Sequence, residues 1–230
     1  MRYITGDIHA DPDRIRQIAA FCEENKTTRD DYLFVLGDVG VNYYCDYRDY
    51  PVKQQMADIP VTFICIRGNH EARPCNVPSY REVSAFGGKV YVEEAFPNII
   101  FLKDGAEYEI GSRILAIGGA YSVDKDYRLM NGLRWFEDEQ LTAQECSEIL
   151  DRVKGRSYDL VLTHTCPFEW QPTERFLPSV DQSKTDKSME LFLGLLERAI
   201  TYRKWYFAHY HGNKSMGKYE MLFEKIKPLD

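Results

Sequence analysis

No stretch of this chain is apolar for long enough to span a bilayer, and no leader of the charged-then-apolar kind opens it. The expectation is a protein without a membrane partner and with a cytoplasmic location. Cysteine is sparse and unpatterned: six residues among 230, with no CxxC pair, which excludes a dense disulfide framework. Cys65, inside the apolar run VTFICI, reads as a small buried hydrophobe. Positive charge is short as well, with 29 Lys and Arg against 36 Asp and Glu and a net charge of −7. Nonspecific grip on nucleic acid needs a basic surface, so long nucleic-acid substrates are disfavoured. A phosphorylated ligand is not excluded, because bound divalent cations reverse the potential locally. No GxSxG pattern offers a serine nucleophile.

What is present is an ordinary globular composition, 44% apolar and 28% charged, long enough for one large α/β domain. Short apolar runs alternate with helical patterns in the first third. RYIT ends at Gly6-Asp7, and Asp11-Pro12 opens the amphipathic stretch DRIRQIAAFCEEN. DYLFVLGD is a second buried strand, a helical segment covers Tyr50 to Asp58, and VTFICIRGNH is a third strand. That repetition predicts parallel crossovers. From Gly88 onward KVYVEE, NIIFLKD, AEYEIGS and RILAIGGA follow without helices between them, predicting an antiparallel section. Residues 121–136 read as an irregular excursion, DEQLTAQECSEILDRVKG as a helix stopped near Gly155, and 166–186 as a loop. DLVLTH, the helix KSMELFLGLLERAI, the strand KWYFAHYH and a closing KYEMLFEKI complete the chain. No linker or repeat interrupts it, so residues 1–230 are expected to form a single domain.

All five histidines fall in short metal-ligand patterns at predicted strand ends. Asp7 and His9 are two apart, so on an extended chain they project to one face and can converge on an ion. A helix cap followed by a turn histidine explains the same residues. Asp38, in LFVLGDVG, is a second Gly-Asp in the same context, and a carboxylate can bridge two cations held ~3.5–4 Å apart. In Gly68-Asn69-His70-Glu71 the Asn69 amide offers a neutral oxygen ligand, while His70 is free to face a substrate. His164 ends DLVLTH and could equally be a core histidine. His209 and His211 repeat the i, i+2 spacing.

Taken in order, Asp-x-His, Gly-Asp, Gly-Asn-His-Glu, His and His-x-His resemble the motif series of the calcineurin-like metallophosphoesterase superfamily, across residues 6 to 211. The resemblance implies two packed mixed β-sheets flanked by helices, a four-layer αββα sandwich. It implies a hydrolase of phosphate esters with two divalent transition metal ions, manganese, iron or zinc. Asp7, His9 and His211 would hold one ion, Asn69, His164 and His209 the other, and Asp38 would bridge them. His70 would serve near the leaving group. With two divalent ions, two aspartates and a hydroxide, such a cluster retains about one positive charge, enough to attract a phosphate anion.

The chain departs from the protein serine/threonine phosphatase subgroup: Ala10 follows GDIH, GDVGVNYY lacks that subgroup's arginine, and His164 sits in THTCP. Substrate choice is therefore expected in the loops at 42–50 and 121–135, with Arg73 and Asn69 and His70 as candidate contacts. The expected partner is a phosphorylated small molecule, a nucleotide or a phosphoprotein. A metal-stabilised module that binds a phospho-ligand without cleaving it, and a phosphodiesterase or nuclease acting on short nucleotides, are the competing readings.

Overall fold

The computed structural model describes residues 1–229. In chain order, β1 (Arg2–Thr5), α1 (Pro12–Glu24), β2 (Tyr32–Val35), α2 (Tyr50–Asp58) and β3 (Thr62–Cys65) form two successive strand–helix–strand units in one sheet. β4 (Tyr80–Ala85), β5 (Gly88–Glu93) and β6 (Ile99–Leu102) extend it, and β7 (Ala106–Glu109) and β8 (Arg113–Ile117) start a second. Then come α3 (Lys125–Met130), α4 (Ala143–Val153), β9 (Ser157–Thr163), α5 (Ser188–Ala199) and β10 (Thr201–Phe207). Three short strands, β11 (Lys214–Met216), β12 (Tyr219–Met221) and β13 (Lys227–Pro228), follow.

The first sheet has the order β13-β1-β2-β3-β6-β5-β4, with β1, β2, β3 and β6 parallel. The second has the order β11-β12-β10-β9-β8-β7, with β8, β9, β10 and β12 parallel. Period-2 alternation sends successive side chains to opposite faces. Ile4, Phe34, Ile64, Ile114, Leu160, Leu162 and Tyr206 therefore meet between the sheets. Their neighbours Tyr3, Leu33, Val35 and Phe63 face outward onto Ile15 and Ile18 of α1 and Met56 of α2. On the other side Leu115, Val161 and Trp205 pack against Ile149 of α4 and Leu193 and Leu196 of α5. Three apolar layers thus separate four layers of secondary structure, as the resemblance implied.

Several predicted boundaries move. α1 begins at Pro12 behind an Asp11 cap, as the sequence suggests. α4 begins only at Ala143, because Thr142 and Glu145 form a reciprocal capping box that fixes the first turn five residues later than the apolar pattern predicts. β4 gave no sequence signal: its residues are mostly exposed at a sheet edge, so no apolar alternation marks them. It pairs with β5 across the two-residue turn Phe86-Gly87, both at positive φ, where the usual Asn-Gly or Asp-Gly pair is missing. The 121–136 excursion contains the short helix α3, none of whose residues is buried, which removes the amphipathic periodicity that identifies a helix. KYEMLFEKI supplies one short strand, β12, in the second sheet and leads into β13 of the first.

Leu162 is fully buried between the sheets. Leu162→Ala is expected to lower unfolding stability by about 2–5 kcal/mol, through lost burial and a residual cavity. Chemical denaturation of both proteins measures this; a loss under ~1 kcal/mol would mean that the inter-sheet layer repacks freely.

Candidate metal centre

The parallel strands β1, β2 and β3 of one sheet and β9 and β10 of the other end at a common edge, and each releases a short loop there. Close backbone packing makes the loops possible. A Cβ on Gly68 would lie 1.9 Å from Asp38 Oδ1, and one on Gly37 would lie 2.2 Å from His164 Nδ1. The loops are also strained. Of eight non-glycine residues with positive φ among the described residues, five are His9, Ala10, Asp38, His209 and His211. Such backbone costs of order 1–3 kcal/mol per residue, and it concentrates at functional sites.

The strain brings the predicted ligands together in two groups. Asp7, His9 and His211 converge with ligand atoms all within 4.8 Å of one another. His9 Nε2 and His211 Nε2 are 3.0 Å apart, and His211 Nε2 lies 3.2 Å from Asp7 Oδ2. In the second group the Asn69 Oδ1 oxygen faces His164 Nε2 at 2.9 Å and His209 Nδ1 at 3.1 Å. Asp38 lies between them: its Oδ2 is 3.8 Å from His9 Nε2 and 3.5 Å from His164 Nε2. His70 Nε2 lies 4.0 Å from the same oxygen, and the His70 backbone N–H donates to Asp38 Oδ1 at 2.8 Å.

A layer of further hydrogen bonds orients these groups, as it does around metal ligands generally. His164 Nδ1 is 2.7 Å from the Leu36 carbonyl, which points Nε2 at the cluster. The Asn69 amide nitrogen donates to Ser122 Oγ at 2.9 Å, leaving Oδ1 for the cluster, and the Ser122 hydroxyl donates to Glu139. Glu71 accepts from the backbone N–H groups of Gly68, Val39 and Gly40, tying the Asp38 loop to the Asn69 loop. Glu71 had no assigned role in the sequence although it stood inside GNHE. Ser122 and Glu139 carried no signal there, since they lie in and beyond an excursion with no periodicity.

The electrostatics of the cluster are those of a cation site. Burial pushes the Asp38 carboxyl up, but His70, His164 and His9 outweigh it and hold the group well below the usual carboxylate range. Burial depresses His164, yet Asp38 and Asp7 raise it to about 9. His209 is driven well below the ordinary histidine value by burial and by His164. His70 is lowered by burial, partly opposed by Asp38. The buried carboxylates thus pull His164 up, while burial and His164 push His209 down. The Asp7 Oδ2 atom is buried, and the nearest group able to donate to it is His211 Nε2 at 3.2 Å. A buried carboxylate oxygen beside two imidazoles suits a divalent ion, and the nitrogen-and-oxygen donor set suits manganese, iron or zinc.

Two clefts flank the cluster and share His70. One, of about 300 Å3, runs along His209 and His211 toward Tyr121, Phe176 and Glu190. The other, of about 540 Å3, runs past His9 toward Tyr43, Arg48 and Arg128. The structure does not bring Arg73 to either one. Its guanidinium is paired with Glu145 at 2.6 Å and with Asp138 at 3.3 Å, and it donates to the Gln140 carbonyl, which corrects its expected substrate contact. The spacing along the chain put it near His70, but β3 has ended and the backbone turns away into a 3-10 helix. The loop cations are largely engaged too: Arg134 donates to the Tyr44 carbonyl, Lys125 sits 3.9 Å over the Trp135 ring, and Arg128 pairs with Asp124.

The sequence profile of the calcineurin-like phosphoesterase family matches residues 3–213. No curated protein matches the chain. One crystal structure, 12% identical over 96% of this chain and 88% of its own, superposes with a TM-score of 0.56. A crystal structure of TT1561 of Thermus thermophilus, 13% identical over 96% of this chain and 87% of its own, gives 0.47.

The Arg73–Glu145 pair carries a pH signature. Burial raises the Glu145 carboxyl, but Arg73 and the Thr142 cap hold it down at about 2. A depressed folded-state pKa contributes stability that is present above the unfolded value and lost as pH falls through the folded one. Wild type should therefore exceed Glu145→Gln by about 0.5–1 kcal/mol near neutrality, a modest value because the pair is partly exposed. Between about pH 4.5 and 2 the difference should vanish. Thermal unfolding across that range measures it; a gap that persists at pH 2 contradicts the assignment.

Proposed function

The chain belongs to the calcineurin-like phosphoesterase family, and from that premise we propose a dinuclear metal-dependent hydrolase of phosphate esters. The family and the Asp7–His9–His211 cluster establish a metal-dependent phosphoesterase. The observation that carries the second ion is the position of Asp38, one carboxylate oxygen facing His9 of one group and His164 of the other. Asp7, His9 and His211 would hold one ion, Asn69, His164 and His209 the other, and Asp38 both. When bound, such a pair supplies Lewis acidity to phosphoryl oxygens and lowers the pKa of coordinated water toward ~7. Ligands from both sheets build the one centre, which supports reading residues 1–230 as a single catalytic domain.

The remaining chemistry belongs to the chain. Hydrolysis requires attack on phosphorus in line with the departing oxygen, so the substrate must be held with its leaving group opposite the attacking side. His70 is the one histidine of the five outside both ligand groups, partly exposed and lining both clefts. Its imidazole N–H can donate to a phosphoryl or departing oxygen as charge develops there. Asp38 accepts the backbone N–H of His70 and so fixes that side chain relative to the shared carboxylate. Substrates within reach of this arrangement are phosphorylated small molecules, nucleotides and phosphorylated side chains.

Turnover of p-nitrophenyl phosphate and its bis ester with added manganese, alongside metal analysis, tests the proposal. His70→Ala should lower kcat by roughly 10²–10⁴-fold with metal content unchanged. Asp38→Asn should reduce the bound metal from two ions per chain to one or none. Wild-type protein that carries two ions and turns over no phosphate ester would remove the reading.

A further inference from the structure

The smaller cleft ends in a group that neither metal binding nor hydrolysis uses. Glu190, in the first turn of α5, is only 3% exposed, and its Oε2 atom has no hydrogen-bond partner. It is not a stray surface carboxylate. Thr165, the residue after His164, donates through its hydroxyl to Glu190 Oε1 at 2.8 Å and lies 2.9 Å from the Tyr210 hydroxyl. Tyr210 stands between His209 and His211 and also accepts from Gln171 at 3.1 Å. The Thr165 hydroxyl and the Glu190 backbone N–H hold the carboxyl beside the ligand histidines, while Oε2, itself buried at the cleft wall, has no partner. A buried acceptor without a partner costs about 1–3 kcal/mol, which a donor on a bound ligand would recover.

The walls narrow the donor's chemistry. Tyr121, Phe176 and Tyr210 line the cleft beside Glu190, and the Phe176 and Tyr210 rings lie within 28° of parallel. Aromatic walls favour a planar group over a branched aliphatic one. Arg175 and Lys187 line the same cleft, Lys187 resting 5.0 Å over the Phe176 ring. These two cations disfavour an alkylammonium group and leave a neutral N–H as the matching donor. A volume of about 300 Å3 is at the small end of ligand sites and suits one base-sized group with its sugar, not a polymer.

We propose that this cleft holds a single nucleobase of a nucleotide substrate, stacked among the aromatic side chains, with a base N–H donating to Glu190 Oε2. The phosphate then reaches the cluster over His209 and His211, and Glu190 is a specificity-determining residue. The inference rests on the phosphoesterase reading but is tested apart from turnover. Isothermal titration calorimetry on the manganese-loaded protein compares the four nucleoside 5′-monophosphates with ribose 5-phosphate and phosphoethanolamine. At least one nucleotide should bind about tenfold more tightly than ribose 5-phosphate, and Glu190→Gln should shrink that advantage to about threefold or less. The variant keeps the side-chain volume, and its metal content and thermal midpoint check that it folds. The wild-type comparison stands without it. Equal binding of nucleotides and ribose 5-phosphate, an advantage that survives in Glu190→Gln, or a preference for phosphoethanolamine overturns the inference alone. Loaded protein that neither binds any of these phosphates nor hydrolyses p-nitrophenyl esters overturns the phosphoesterase reading, and the inference falls with it.

Discussion

Two carboxylates, Asp7 and Asp38, are buried at the meeting edge of the two sheets without a lysine or arginine paired to either among the described residues. Isolated buried charge is among the most costly things a fold can contain. Every ion-pair contact to these two groups comes from a histidine, a side chain whose charge is conditional and whose neutral form is a metal ligand. An arginine at any of these positions would compensate the carboxylates permanently and close the site to a cation. Histidine keeps the compensation exchangeable between a proton and a metal, and His164, raised to about 9, shows the pull that the carboxylates exert. The rest of the architecture can be understood as what is needed to hold five imidazoles around two such groups.

The sandwich meets that need by dividing labour. Strands β1, β2 and β3 deliver Asp7, His9, Asp38, Asn69 and His70, and β9 and β10 deliver His164, His209 and His211. Neither sheet alone assembles either group of side chains: His211 joins Asp7 and His9 from the other sheet, and Asn69 likewise joins His164 and His209. The inter-sheet layer of Ile4, Phe34, Ile64, Leu160, Leu162 and Tyr206 is therefore more than a core. It sets the distance between the side chains that the two sheets contribute to the cluster. The backbone strain sits beyond it, in loops, where five positive-φ residues can be tolerated because regular strands on the inner side do not share their distortion.

How much of this was legible follows from the kind of information each feature uses. The residues that converge at the sheet edge were readable as candidates because each follows a strand and all but His164 belong to a short motif. The layer architecture was readable because period-2 alternation and helical amphipathicity are local. Arg73 was misplaced for a reason of the same kind: nearness in sequence to His70 says nothing once the chain leaves the strand, and its true partners, Glu145 and Asp138, are some seventy residues away. The edge strand β4 and the exposed α3 lack the buried face that makes an element visible. Glu71, Ser122, Glu139 and Glu190 act through contacts over long sequence separations or through the backbone of another loop, and no spacing rule announces those.

Glu71 and Glu190 show how differently two buried acids can be used at one site. Glu71 is buried and pushed up to about 7 by desolvation and by Asp38, yet it receives three backbone N–H groups. Its demand for donors is met within the protein, so its effect is rigidity: it locks two ligand loops in one relative position. Glu190 is equally buried and also raised by burial, but beyond the Thr165 hydroxyl and its own backbone N–H its Oε2 atom has no partner. A fold under pressure only for stability would supply that oxygen with a donor, since a partner for Oε2 is a small change worth about 1–3 kcal/mol. The contrast separates structure from recognition more sharply than burial does. A satisfied acid holds the two loops together, whereas the acid left partly unsatisfied in the cleft beside them is the one that the proposed base would complete.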